Sequence, residues 1–320
     1  MIRVGIIGGA GYTAGELLRI LVNHPQTGIV FVHSESNAGN LVADVHAGLI
    51  GDTSLKFCSE FDLADIDVLF MCGAHGRSAS FWETNTCPSG LKVIDLAQDY
   101  RDESCGYVYG LPEWKRAEIA SASKVANPGC FATAIQLALL PLAASGTLWD
   151  DIQVTAVTGS TGAGVKPGVT THFSWRNDNI SAYKIFTHQH LLEIRRNLSV
   201  IAGAEVPQIN FVPVRGDFSR GIFASVYTRS NLDEQQLEDV FRRYYASACF
   251  TFVSSSPVDL KQVVNTNKCV IKVEKHGDMA VITCVIDNLL KGASGQAVQN
   301  MNLLFSLPED CGLRLKAVAF

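Results

Sequence analysis

Long hydrophobic runs, cysteine pairs and an excess of positive charge are all missing from this sequence of 320 residues. No stretch approaches the ~18 apolar residues of a transmembrane helix, and no signal-peptide pattern precedes the strand-like segment that starts at Arg3. The nine cysteines are odd in number and contain no Cys-x-x-Cys pair, which argues against a disulfide framework and a zinc site. The net charge of -5 argues against nucleic acid or an anionic membrane as the partner. We therefore expect a cytoplasmic protein, and we predict no metal site.

The hydrophobic pattern divides the chain into two predicted domains, and a hydrophobic content of 47% suffices for two cores. Short apolar runs typical of a parallel sheet that is covered on both faces occur at 3–7, 29–33, 67–71 and 92–96. Alternating patterns typical of half-buried strands occur at 152–158, 211–214, 222–227, 270–273 and 280–285. We predict a doubly wound Rossmann-like α/β domain at 1–128 and an α+β domain with a largely antiparallel sheet at 129–295.

A glycine-rich turn joins the first predicted strand to the first predicted helix. The segment 8–15 reads Gly-Gly-Ala-Gly-Tyr-Thr-Ala-Gly, and residues with helical apolar spacing follow it. Gly8 and Gly11 would permit a tight turn and a close approach of a pyrophosphate to the N-terminus of the helix. The spacing departs from Gly-x-Gly-x-x-Gly, so an ordinary tight connection between strand and helix is the alternative.

The end of the second predicted strand is where the ribose of a bound dinucleotide would lie. Ser34 and Ser36 could bind a 2′-phosphate, whereas Glu35 could prefer the free ribose of NAD. These residues therefore leave the choice between NADP and NAD open.

The segment 127–133, Asn-Pro-Gly-Cys-Phe-Ala-Thr, places a cysteine where a loop gives way to a long apolar helix. Pro128 and Gly129 end the preceding segment, and the following residues are rich in Ala, Leu and Ile. Cys130 would lie in the first turn, where unpaired N–H groups and the helix dipole favour a thiolate and lower a cysteine pKa. The same N–H groups could hold an oxyanion. We interpret Cys130 as a nucleophile, with a buried structural cysteine as the alternative.

Three further features lie near the ends of predicted strands. Arg101 could bind a phosphate or a carboxylate, or it could form a surface ion pair with Asp99 or Asp102. His75 is interpreted as structural. The glycine-rich loop at 159–168 could contact an anion or a nicotinamide amide through its backbone, and a flexible connection is the alternative.

The segment 188–193, His-Gln-His-Leu-Leu-Glu, holds two histidines two residues apart, His188 and His190, a spacing that resembles a pair of metal ligands. It is not His-Glu-x-x-His and no third ligand set is evident, so it does not indicate a metal site. An imidazole near Cys130 could take a proton from the thiol or act as acid and base in later steps. Glu193, three residues after His190 on a predicted helix, could orient that imidazole. A histidine of the surface or the core is the alternative.

Taken together, these segments resemble the N-acetyl-gamma-glutamyl-phosphate reductase family of arginine biosynthesis. The resemblance runs nearly from end to end and is carried by motifs at 11–17, 36–39, 94–101, 109–113, 127–133, 161–164, 188–194 and 287–302. The longest motif reads Asp-Asn-Leu-Leu-Lys-Gly-Ala-Ser-Gly-Gln-Ala-Val-Gln-Asn-Met-Asn. The resemblance implies that NADPH reduces a small-molecule substrate, an N-acyl-gamma-glutamyl phosphate, to its semialdehyde through a cysteine thioester. It also implies a homo-dimer or homo-tetramer.

The resemblance further implies roles for individual residues. Cys130 would be the nucleophile, and one of His188 and His190 would be the acid/base, with His190 preferred. Substrate contacts would come from Arg101, Asn127 and Glu193. NADP(H) would contact Gly8, Gly11, Tyr12, Thr13, Ala14, Ser34, Ser36, Ser160, Gly162 and Asn288. A C-terminal helix at about 296–320 would complete the domain at 1–128.

Two other functions stay open at this point. Aspartate-semialdehyde dehydrogenases share the general plan and a cysteine nucleophile, and a nucleotide-binding sensor without catalysis could share the fold. The acyl group on the glutamate, acetyl or a larger group such as succinyl, is also left open.

Overall fold

The computed structural model describes residues 1–74 and 76–319, so His75, interpreted above as structural, lies outside the described residues. The chain divides into two compact units. The first consists of Met1–Pro128 and Ala293–Arg314, and the second consists of Gly129–Gly292 and the residues from Leu315 onward.

The first unit is built on a sheet of seven described strands, and every neighbouring pair in it is parallel. The strands are β1 (Ile2–Ile7), β2 (Thr27–His33), β3 (Phe57–Cys58), β4 (Val68–Met71), β5 (Lys92–Asp95), β6 (Val108–Tyr109) and β7 (Lys124–Ala126). The described α-helices before residue 129 are α1 (Tyr12–Leu21), α2 (Val42–Val45), α3 (Arg77–Thr84) and α4 (Pro112–Ser121). The strand order β3-β2-β1-β4-β5-β7-β6 reverses its direction between β1 and β4. Nucleotides bind at such a switch point in open α/β sheets, so the predicted doubly wound domain is confirmed.

The central strands of this sheet are apolar on both faces because both faces are covered. Every residue of β4 is buried, and Val68, Leu69 and Phe70 have no exposed surface. The continuous apolar run in the sequence is the signature of such a strand, whereas a sheet with one solvated face alternates. This is why the sequence pattern identified the central strands of the first unit.

The second unit is built on a mixed sheet with the order β12-β13-β14-β11-β8-β10-β9. Its described strands are β8 (Ile152–Thr158), β9 (Ser181–Ala182), β10 (Ile209–Arg215), β11 (Ile222–Arg229), β12 (Thr251–Ser254), β13 (Cys269–His276) and β14 (Met279–Ile286). Its described helices are α5 (Cys130–Ala144), α6 (Phe173–Arg176), α7 (His190–Ala202) and α8 (Glu234–Tyr244). Four of its six neighbouring pairs are antiparallel, and only β8 with β10 and β12 with β13 are parallel. The predicted α+β domain with a largely antiparallel sheet is confirmed.

Helix α5 is the central helix of the second unit. Its residues from Phe131 to Ala143 are all buried, because the helix packs against α7 on one side and against strands β11 and β14 on another. A helix that is apolar all round has to be surrounded by protein in this way. Helices α5 and α7 begin at Cys130 and His190, two of the predicted catalytic residues, and His188, the third, lies just before α7. No helix in the described ranges combines the length and hydrophobicity that crossing a membrane requires.

The chain returns to the first unit after β14. A π-helical turn at Leu290–Ser294 leads into α9 (Gly295–Leu304), which packs against α1 and α4. The Ser294 hydroxyl donates to the carbonyl of Thr13 at 2.7 Å, and the Asn300 amide donates to the carbonyl of Gly110 at 2.9 Å. The helix ends at Leu304, so it covers only part of the segment 296–320 that the sequence assigned to it.

Candidate active site

In the glycine turn of the first unit, Gly8 has no room for a side chain, whereas the space around Gly11 is open. Gly8 has a φ of +79°, and a Cβ at this position would lie 2.9 Å from the carbonyl carbon of Cys72, which is closer than real Cβ contacts. Gly11 precedes α1, and a Cβ there would meet only the carbonyl oxygen of Gly8, at 3.9 Å. The backbone N–H groups at the start of α1 are therefore open to an anion such as a pyrophosphate. This geometry fits the dinucleotide that the turn predicts.

The next three predicted nucleotide contacts begin α1 and have different surroundings. Tyr12 is exposed, whereas Ala14 has no exposed surface. The carbonyl of Thr13 accepts the hydrogen bond from Ser294, so it anchors the segment that leads into α9. Ala14 packs in the core of the first unit, and only Tyr12 of the three offers a wide solvent-facing surface.

Two serine hydroxyls lie together after β2. The side-chain amide of Asn37 donates to the hydroxyl oxygens of Ser34 and Ser36, at 3.2 and 3.1 Å. Because each hydroxyl oxygen already accepts a hydrogen bond, its own proton can point towards another acceptor, such as a phosphate oxygen. Glu35 lies exposed in the same turn. The cluster has the donors that a 2′-phosphate requires.

Arg101 and Asn127 hold the loops that follow β5 and β7. Arg101 is only 7% exposed, and its guanidinium donates to the carbonyls of Asn127 and Leu96 at 2.9 and 3.1 Å. The Asn127 amide donates to the carbonyl of Ala293 at 3.1 Å and accepts from Asn300 at 3.1 Å. Both side chains thus shape this edge of the first unit, and their contacts with substrate stay a prediction.

In the second unit, Cys130 is the first residue of α5, and Gly129 before it has extended backbone angles. The cysteine is half-buried. A Cβ at Gly292 would lie 2.8 Å from the Cβ of Cys130, so the chain after β14 packs directly on the cysteine. The thiol is therefore held at the start of a helix, where backbone N–H groups and the helix dipole stabilise negative charge.

His190 lies against the backbone next to this cysteine. A Cβ at Gly129 would lie only 2.3 Å from Nε2 of His190, so the imidazole occupies the space that any other side chain at 129 would fill. His190 is the first residue of α7 and is 7% exposed. Helix packing between α5 and α7 therefore brings an imidazole nitrogen to the residue that precedes Cys130.

His188 has a different environment. Its Nδ1 accepts the backbone N–H of His190 at 3.2 Å. Burial, together with the positive charges of Lys184 and Arg215, lowers the pKa of His188 to about 4, so this ring is neutral near pH 7. These contacts favour His190 over His188 as the acid/base and give His188 a supporting position.

Glu193 is buried beside the start of α5. Its carboxylate accepts the backbone N–H of Gly129 at 3.2 Å. The sequence indicated that Glu193 could orient His190 or bind substrate. Its bond to Gly129 adds a contact that fixes the turn before Cys130.

The glycine-rich loop after β8 forms a defined turn. Ser160 and Gly162 lie in the short 3-10 helix Ser160–Ala163. Asn288 donates from its side-chain amide to the Thr161 hydroxyl at 3.0 Å, and its amide oxygen accepts the backbone N–H of Gly221, the residue before β11, at 2.7 Å. Asn288 therefore connects the loop to the sheet by two hydrogen bonds, which argues against the alternative that the loop is a flexible connection.

Comparison with known proteins identifies the family. The family models described as semialdehyde dehydrogenase, NAD binding domain, and semialdehyde dehydrogenase, dimerisation domain, match residues 3–122 and 130–288. An N-acetyl-gamma-glutamyl-phosphate reductase of Azobacteroides pseudotrichonymphae is 58% identical and one of Bacteroides thetaiotaomicron is 56% identical, each covering 100% of both chains. This chain belongs to the N-acetyl-gamma-glutamyl-phosphate reductase family. The resemblance found in the sequence is confirmed.

The fold of this reductase family member is also found in solved structures. Aspartate semialdehyde dehydrogenase II from Vibrio cholerae superposes with a TM-score of 0.75 over 96% of this chain and 98% of that chain. The two sequences are 18% identical, so this likeness concerns the fold alone.

Two residues near the histidines of this family member were not singled out in the sequence. The Tyr183 ring lies 5.8 Å from the His188 ring, and the Arg215 guanidinium lies 4.5 Å from the centre of the Tyr183 ring. Burial raises the pKa of Tyr183 to about 12, and the negative charge of a Cys130 thiolate acts in the same direction. Arg215 is the last residue of β10. Its position near the histidines could be predicted only by knowing that β10 pairs with β8, which the sequence does not reveal.

Gly129→Ala is expected to lower kcat/KM by about 10²-fold, because the new methyl group displaces the His190 imidazole from the residue beside the thiol. Steady-state kinetics together with a thermal melt would separate this effect from unfolding. Gly48→Ala is the matched control, since a Cβ at Gly48 meets no atom within 4 Å. Equal activity of the two variants would contradict the placement of His190.

Proposed function

We propose that this chain catalyses the NADPH-dependent reduction of an N-acyl-gamma-glutamyl phosphate to N-acyl-glutamate semialdehyde and phosphate, in arginine biosynthesis. The observation that carries the proposal is the imidazole of His190 on the backbone of Gly129, next to a cysteine that begins a helix. The 58% identity to a curated protein with this name supports the choice of substrate.

Cys130 acts first in the proposed reaction. Its thiolate attacks the carbonyl carbon of the acyl phosphate, a C–S bond forms, and the bond from carbon to the phosphate oxygen breaks. The backbone N–H groups at the start of α5 are placed to stabilise the oxyanion that develops on the carbonyl oxygen. The product of this half-reaction is a thioester on Cys130 and free phosphate.

His190 acts as the acid and base of the second half-reaction. When bound, NADPH supplies the hydride that reduces the acyl carbon. His190, carrying the proton that it took from the Cys130 thiol, donates it to the oxygen of that carbon, which becomes a hydroxyl. His190 then takes this proton back while the C–S bond breaks, which releases the aldehyde and restores the thiolate. A thiolate suits both steps because it attacks well and also leaves well.

Several features of the first unit support NADPH as the cofactor. Gly8 and Gly11 would receive the pyrophosphate at the start of α1, and the hydroxyls of Ser34 and Ser36 would donate to the 2′-phosphate. In the second unit, the loop fixed by Asn288 would contribute the contacts near the nicotinamide. These assignments are part of the proposal.

The match to a dimerisation domain over residues 130–288 supports self-association. We infer a homo-dimer or homo-tetramer formed through the second unit, and we place the reaction in the cytoplasm, where the free thiols of this chain would stay reduced. Sedimentation of the purified protein would distinguish a monomer, which would contradict this inference, from either assembly.

Phosphate-dependent reduction of NADP tests the proposed reaction in its reverse direction. Purified protein is expected to reduce NADP with N-acetyl- or N-succinyl-glutamate semialdehyde only when inorganic phosphate is present, and to prefer either aldehyde to aspartate semialdehyde. Preference for aspartate semialdehyde would favour the aspartate enzyme, and binding of NADPH without any turnover would favour a sensor.

Gly8→Ala is expected to weaken NADPH binding, because the added Cβ would press on the backbone of Cys72 and the residue would keep a positive φ. A left-handed non-glycine residue alone costs about 1–2 kcal/mol. Gly90→Ala is the matched control, since Gly90 also has a positive φ, of +86°, but a Cβ there meets no atom within 4 Å. Fluorescence titration with NADPH should show weaker binding only for Gly8→Ala, and unchanged binding would contradict the role of this turn.

A further inference from the structure

Arg215 is a cation at the same sheet edge as the glycine-rich loop. It is the last residue of β10 and pairs in register with Thr158, the last residue of the parallel strand β8. The 3-10 helix Ser160–Ala163 follows β8 immediately. The carboxyl ends of parallel strands meet at one edge of a sheet, so Arg215 projects from the edge that carries this loop.

No carboxylate forms an ion pair with Arg215 in the part of the chain that the structure describes, and its side chain hydrogen-bonds to Tyr183. Its guanidinium lies over the Tyr183 ring, and its Nε is buried without a hydrogen-bond partner among the described residues. The neighbouring Lys184 is also a cation, and its ammonium group donates to Gln189. A half-buried guanidinium without a counter-ion is costly, so the site favours an incoming anion.

A short series of ring contacts joins Arg215 to the nucleophile. The Tyr183 ring lies 5.8 Å from the His188 ring, which lies 4.6 Å from the His190 ring. His190 in turn lies on the backbone of Gly129, next to Cys130. All of these residues belong to the second unit, so their arrangement does not depend on the first.

We propose that Arg215 binds a carboxylate of the substrate and thereby positions the acyl chain for attack by Cys130. This proposal rests on the proposed function, whose substrate carries a carboxylate on its α-carbon and, if the acyl group is succinyl, a second one at the end of that group. A guanidinium recognises a carboxylate through two parallel hydrogen bonds, and here the anion would neutralise an otherwise uncompensated cation. Arg215 is therefore a specificity-determining residue.

The test combines a change in the arginine with a change in the carboxylate. Wild type and Arg215→Met are assayed for phosphate-dependent NADP reduction with N-acetyl-glutamate semialdehyde and with its α-carboxamide analogue. Loss of a hydrogen bond to a charged group should raise the KM for the wild type with the carboxamide about 10- to 100-fold. Arg215→Met should show a similar rise with the carboxylate, and little further change with the carboxamide, because the interaction is already lost.

A second arm identifies which carboxylate is bound. If Arg215 binds the α-carboxylate, Arg215→Met raises the KM for the N-acetyl and N-succinyl aldehydes alike. If it binds the carboxylate of the acyl group, the KM rises for the N-succinyl aldehyde only, and the carboxamide comparison is made on the succinyl group instead. Arg215→Lys, which keeps the charge, should recover part of the loss in both cases.

Matched controls make each outcome decisive. Arg229→Met removes an exposed arginine at the end of β11, a strand that pairs with β8, at the opposite edge of the sheet from Arg215, and it should leave every KM unchanged. Two results for Arg215→Met would overturn the proposal. One is a variant that discriminates against the carboxamides as strongly as the wild type does, and the other is a variant in which only the KM for phosphate is raised. A wild type inactive with all the aldehydes would instead overturn the proposed function, and the role of Arg215 with it.

Discussion

Cys130→Ser is expected to abolish turnover while leaving NADPH binding unchanged. The start of α5 can help to ionise a thiol, but a serine hydroxyl in the same place stays protonated near neutral pH. An ester formed on serine would also resist hydride and leave poorly as an alkoxide. The substitution changes one atom and keeps the packing of Gly292 on this residue, so the fold should be retained.

The measurements for this variant are the rate of phosphate-dependent NADP reduction and a titration with NADPH. Cys105→Ser is the control, because Cys105 is an exposed cysteine of the first unit, and it should have normal activity. Turnover of Cys130→Ser at a rate close to that of the wild type would remove Cys130 from the mechanism.

His190→Asn is expected to lower kcat about 10²- to 10⁴-fold, the usual contribution of a positioned acid/base, while His188→Asn should lose much less. The two histidines have different environments in the structure. His190 lies on the backbone beside Cys130, whereas His188 supports it by accepting its backbone N–H. The oxygen of an asparagine at position 188 could accept the same hydrogen bond.

The pH dependence of kcat shows which of His188 and His190 transfers the proton and which only supports the other. Because the pKa of His188 is lowered to about 4, this ring is neutral from about pH 5 upwards and its titration contributes nothing between pH 5 and 8. A limb of the profile in that range should therefore persist in His188→Asn and vanish in His190→Asn. The reverse pattern would assign the proton transfer to His188.

The sequence predicted the central strands of the first unit because buried parallel strands are continuous apolar runs. It identified β1, β2, β4 and β5, but β3, β6 and β7 have only two or three residues and carry no recognisable period. In the second unit the alternating patterns located β8, β10, β11, β13 and β14. Their order in the sheet, including the parallel pair β8 and β10, follows from contacts distant in the sequence.

In the candidate site, too, the sequence predicts features that depend on neighbouring residues and misses those that depend on contacts distant in the sequence. Cys130 was identifiable because Pro128, Gly129 and the apolar run after it define a helix start locally. The geometric reason to prefer His190 over His188 comes from the packing of α7 on α5, since both histidines occupy one short segment of the sequence. Arg215 is an ordinary strand residue in the sequence, and only the pairing of β10 with β8 gives it a position near the histidines.

The most direct test of a covalent mechanism is the mass of the protein after it is mixed with N-acyl-gamma-glutamyl phosphate in the absence of NADPH. Hydride transfer cannot follow, so the acyl group should remain on the enzyme and phosphate should be released once per subunit. Mass spectrometry is expected to locate the acyl group on the peptide that contains Cys130, as a thioester that hydroxylamine removes. An unmodified Cys130, under conditions in which the same preparation turns over with NADPH, would contradict the account.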